Sequence, residues 1–131
     1  MKKWLIGSLA VAALVSWTTG SVIADEAKAK GKEEKKAETI QGEVIDMVCY
    51  LDHGARGEKH VKCAEDCIKG GLPVGILTDK EVYMIVGDHK PINDKLVAFA
   101  GQKVKVTGEV SNRKGVHMIV VKNPDTDIVK E

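Results

Sequence analysis

From Thr39 onward, apolar and polar positions alternate in short runs broken by glycine and proline, a period of two that predicts strands. The run "TIQGEVIDMVCYL", 39–51, reads as a first strand, with Ile45, Met47 and Cys49 on one face and Val44, Asp46 and Val48 on the other. Gly42 marks an early bend or bulge in it. "DHGARG", 52–57, is loop material, and Glu58 to Lys69 takes a helical period closed by Gly70, Gly71 and Pro73. "VGILT" and "EVYMIVG" flank Asp79-Lys80 and predict a hairpin of 74–78 with 81–87. "PINDKLVAFAG", 91–101, places Ile92, Leu96 and Phe99 on one face of a short helix that Pro91 opens and Gly101 ends. "QKVKVTGEV" alternates with Val104 and Val106 inward and Lys103 and Lys105 outward, and "SNRKG" turns the chain into "VHMIVVK", 116–122. Met47, Met84 and Met118 fall at inward strand positions, as core packing requires. The polar tail from Asn123 is expected to fray.

This order predicts a mainly β domain with two short helices: five strands, a helix between the third and fourth, and a helical insert at 52–73 after the first strand. Five strands with that helix placement is the order of an OB-fold, a small Greek-key barrel. "GEVID" in the first strand and "VKVTGEV" before the closing turn resemble exported bacterial OB-fold proteins. The resemblance implies the barrel; function has to come from a site.

Ahead of the alternating region, "MKKWLIGSLAVAALVSWTTGSVIADE" carries Lys2 and Lys3, an apolar run from Trp4 to Trp17, and "SVIA" before an acidic start. That is the pattern of a secretory signal cut after Ala24, and the run falls short of the ~20 apolar residues of a membrane span. The expected location is therefore periplasmic or secreted, with no membrane span once the signal is removed. Residues 25–38, "DEAKAKGKEEKKAE", hold five acids and five bases and nothing able to anchor a core, so they read as a solvated linker before a domain at 39–131.

Composition then narrows the partners. Cleavage removes Lys2 and Lys3 and no acids, which changes 20 basic against 19 acidic groups to 18 against 19. Both tryptophans leave as well, so only Tyr50, Tyr83 and Phe99 remain as aromatics. Neither a basic groove nor stacking platforms are on offer, which excludes nucleic acid as a partner. No nucleophile elbow, HExxH, phosphate loop or motif-placed carboxylate pair occurs, so the sequence points away from an enzyme.

The distinctive chemistry lies in "KHVKCAEDCIKGG", 59–71, where His60, Cys63 and Cys67 fall on one helical stripe, with Cys49 fourteen residues before Cys63. If the insert folds back over the end of the first strand, three thiolates and an imidazole converge. Cys₃His is a tetrahedral donor set for zinc, and soft thiolates equally suit copper as Cu(I). Cys49, Cys63, Cys67 and His60 are therefore the candidate metal ligands, with His53 as a replacement for His60. Export makes a second reading compete: a disulfide from Cys49 to Cys63 or Cys67 stapling the insert to the barrel. In that case the domain would serve as a structural or interaction module for an exported protein partner. A third reading is a thiol–disulfide relay among the three cysteines. An odd number of cysteines favours the metal and relay readings, because a staple leaves one thiol without a use. His89 and His117 are expected at the solvent, and Asp46 either there or as an acceptor behind a ligand.

Overall fold

The computed structural model describes residues 35–131. The expected signal at 1–24 and the linker up to residue 34 lie outside the described residues. β1 (Ala37–Asp46) opens the domain and begins two residues before the expected strand start at Thr39. It is followed by α1 (Met47–His53), a 3-10 turn (Glu58–His60) and α2 (Val61–Lys69). β2 (Val74–Leu77) and β3 (Val82–Val86) form the expected hairpin. α3 (Asn93–Leu96) continues as a 3-10 turn (Val97–Phe99) and leads to β4 (Lys103–Arg113) and β5 (Val116–Val120). α4 (Pro124–Asp127) and β6 (Ile128–Lys130) end the chain.

The strands pair in the order β1-β2-β3-β5-β4, and β1 pairs with β4 as well, which closes the sheet into a five-stranded barrel. β3 and β5 run parallel, with Tyr83 opposite His117, while every other pairing is antiparallel. With α3 between β3 and β4, this is the expected OB-like barrel. Closure requires the long strands to coil, and two glycines sit where they do. A Cβ on Gly42 would lie 2.4 Å from the Leu77 carbonyl oxygen, and one on Gly108 would lie 2.5 Å from that of Val120. β1 changes partners at the first of these: residues 37–43 pair with β4 and 43–46 with β2.

The barrel is filled by Val44, Ile76, Ile85, Val104, Val106 and Ile119, with Val104 and Val106 inward as their alternation predicts. Ile68 of α2 and Leu96 of α3 are fully buried in the same core. The insert therefore closes the barrel rather than decorating it. Asn93 reinforces the contact, since its side-chain amide donates to the carbonyls of Ile68 (2.9 Å) and Leu72 (2.8 Å) at the end of α2.

Four expectations are corrected. The first strand does not reach residue 51: it stops at Asp46, and Met47–His53 is helical. The cause is local, because the Asp46 carboxylate caps the new helix by accepting from the Val48 and Cys49 amides. The tail does not fray, since β6 pairs with 104–106 of β4 along the edge that β5 leaves, and buries Ile128. The three methionines are half-buried, and the core proper is aliphatic. His117 is not solvated: its side chain is 15% exposed, with Nδ1 3.3 Å from a Glu81 carboxylate oxygen that also accepts the Tyr83 hydroxyl at 2.8 Å.

Candidate metal centre

α1 and α2 bring the three cysteines together. α1 is a seven-residue helix with no buried residue, fixed at its ends rather than by packing. Asp46 caps its start, the Met47 amide donates to the Pro73 carbonyl (3.0 Å), and Gly54 ends it in the left-handed conformation. Those anchors hold Cys49 over α2, where Cys63 and Cys67 stand one turn apart. α2 is held in turn by the burial of Ala64 and Ile68. Cys49 Sγ lies 4.0 Å from Cys63 Sγ and 3.9 Å from Cys67 Sγ, and all three sulfurs lie within 4.8 Å of one another.

Those distances decide between bonding modes. A disulfide needs about 2.05 Å, so none is formed and all three cysteines are free thiols. The staple expected from export is absent from this structure. A tetrahedral ion with sulfurs at about 2.3 Å needs an S···S edge of about 3.8 Å, and a planar three-sulfur site of that bond length needs about 4.0 Å. Two of the three edges already match. The trio is compatible with a metal ion held by Cys49, Cys63 and Cys67.

The histidines stand further out. His60 is half-buried at the N-cap of α2 and lines the same small cleft as Cys49 and Cys63, together with Asp46 and Ala64. Its ring is outside the set of ligand atoms that lie within 4.8 Å of one another. The His53 ring centroid is 6.2 Å from that of His60, and His53 Nδ1 is 3.2 Å from the Asp52 carboxylate at the surface. His89 is solvated, as expected.

Asp46 is the functional residue that strand periodicity hides. It is buried at 2% exposure, the single buried charged side chain among the described residues. Oδ1 accepts from the Val48 amide at 3.3 Å and Oδ2 from the Cys49 amide at 2.9 Å. The neighbouring Asp46 carboxylate is the largest of several causes that push the Cys49 pKa far above the ordinary thiol value, followed by burial and the two neighbouring thiols. Cys67 is pushed upward mainly by burial. Both shifts favour the protonated thiol, at Cys49 and at Cys67. An aspartate directly ahead of "MVCYL", with no glycine or proline in the next seven residues, is the helix-start signal that could have found it.

The chain matches no protein-family model, no curated protein and no solved structure, so the barrel and its sulfur cluster carry the functional argument.

Proposed function

We propose that this protein is a small exported binding module for a soft metal ion, zinc or copper. Cys49, Cys63 and Cys67 serve as thiolate ligands, and the His60 imidazole turns inward as the fourth. The observation that carries this reading is the sulfur triangle, with Cys49 3.9 Å and 4.0 Å from its two neighbours. Three free thiols without a metal would be a liability in an oxidising compartment, and a bound ion gives all three a use. The rigid barrel sets the geometry, and the exposure of Cys63 leaves a path by which an ion is taken up or handed on. The role this supports is metal sequestration or delivery beside an exported protein partner.

The test is metal content. Protein purified reduced and exposed to zinc or Cu(I) should carry one ion per chain by elemental analysis. Cys63→Ser should abolish that stoichiometry while leaving the denaturation midpoint of the metal-free barrel unchanged, because Cys63 is exposed. His60→Ala should weaken binding without abolishing it. Reduced wild-type protein that remains metal-free under these conditions would remove this reading.

A further inference from the structure

The three sulfurs are not equivalent. Cys63 is exposed, whereas Cys49 and Cys67 are half-buried. Cys49 is in near contact with both others, at 4.0 Å and 3.9 Å. Cys63 and Cys67 sit four residues apart on one regular helix, where Cα atoms are about 6 Å apart but the parallel side chains make the disulfide dihedral of about 90° hard to reach. Helix geometry therefore favours bridges that include Cys49, and Cys49 has two partners at nearly equal range, one outside and one inside.

We propose that the metal-free trio is an ordered thiol–disulfide exchange path. It takes a small aliphatic disulfide as its oxidising substrate and ends as a Cys49–Cys67 bridge with Cys63 reduced. Cys63, the accessible sulfur, attacks one sulfur of the small disulfide, whose S–S bond breaks and releases one small thiol. Cys49 attacks the Cys63 sulfur of the resulting mixed disulfide and expels the second small thiol, forming a Cys49–Cys63 bridge. Cys67 attacks Cys49 from the inner side, and Cys63 leaves as a free thiol again. In sum, two protein thiols lose two electrons to the small disulfide, and the protons of Cys49 and Cys67 finish on the two small thiols. The third cysteine has a role here that no staple gives it: it moves the bridge inward, where external thiols reach it less readily, and resets the outer nucleophile. The final bridge joins α1 to α2, the two elements that would share a metal ion, so oxidation and metal loading exclude each other.

The inference rests on the sulfur geometry and not on metal binding, and its test uses no metal. Reduced, metal-free full-length protein is incubated with oxidised glutathione, free thiols are blocked at intervals, and peptide mapping by mass spectrometry locates every bridge and adduct. Wild-type protein should finish with one free thiol, at Cys63, and a Cys49–Cys67 bridge. Cys67→Ser should stop at Cys49–Cys63. Cys49→Ser should keep glutathione on Cys63 and form no internal bridge, with far-UV circular dichroism confirming that the barrel is folded. The wild-type end point decides the matter by itself if a variant fails to fold. A wild-type product bridged Cys49–Cys63, or one carrying glutathione stably on Cys63, overturns the path. Metal stoichiometry of the reduced protein reads the preceding proposal separately, so either can fail alone.

Discussion

At position 46 one buried carboxylate accepts the Val48 and Cys49 amides and raises the pKa of the Cys49 thiol, so the start of α1 and the ionisation of a candidate ligand depend on the same group. Asp46→Ala should lower stability by about 1–2 kcal/mol through loss of the helix cap, read as a lower urea midpoint with unchanged slope. Asp46→Asn, which keeps one acceptor oxygen, should recover part of that loss. The sign of the pH effect follows from the raised thiol pKa values of Cys49 and Cys67, which favour the protonated form. Stability from this source is complete below the ordinary thiol pKa of about 8.5 and is lost as pH rises above it. Metal binding runs the other way, because each ligating thiol must release its proton. Competition titrations should therefore show apparent metal affinity rising steeply from about pH 6 to about pH 8, and Asp46→Asn should shift that rise to lower pH. At this scale spacing put Cys63 and Cys67 on one helical stripe, and the meeting with Cys49 was legible only on the condition that the insert folds back, as it does. Asp46 was not, because an alternation continued past residue 46 predicts the opposite of a buried cap.

The insert between β1 and β2 works as two helices with different supports. α1 has no buried side chain and relies on its caps, whereas α2 drives Ile68 into the barrel end beside Leu96. Ile68→Ala should cost about 2–5 kcal/mol by transfer and cavity terms, measured by denaturant unfolding. It should also loosen the cysteine site, because Cys67 precedes Ile68 on the same helix. Had the insert been a surface decoration, that substitution would cost less than about 0.5 kcal/mol. Element identities from 58 to 120 were readable because glycine, proline and charge punctuate them. Two were not. The apolar run after Asp46 fits either period over so short a length, and only the cap decides it. The last strand is three residues long, and its reason for ordering is the free edge of β4 at 104–106, which no local pattern announces.

The barrel closes because β1 and β4 are long enough to coil, with Gly42 and Gly108 allowing backbone carbonyls to approach where a side chain would collide. α1 and α2 both lie in the connection from β1 to β2, so an ion shared by Cys49, Cys63 and Cys67 would fasten the first turn after β1 to the helix that closes the barrel end. That coupling makes metal content a stability variable of the whole domain. An ion that binds only the folded state stabilises it by RT ln(1 + [L]/Kd), about 2.7 kcal/mol at a hundredfold excess over Kd. For a domain of this size that corresponds to a rise in Tm of roughly 11–22 °C, from about 4–8 °C per kcal/mol. Reduced protein with zinc should therefore melt well above the same protein with a chelator. Cys49→Ser should give one melting temperature under both conditions, because removing the central sulfur leaves Cys63, Cys67 and His60 all on α2 or its N-cap and no tie to α1. If chelation leaves the wild-type transition where it was, the sulfur triangle does not fasten the domain through a metal ion.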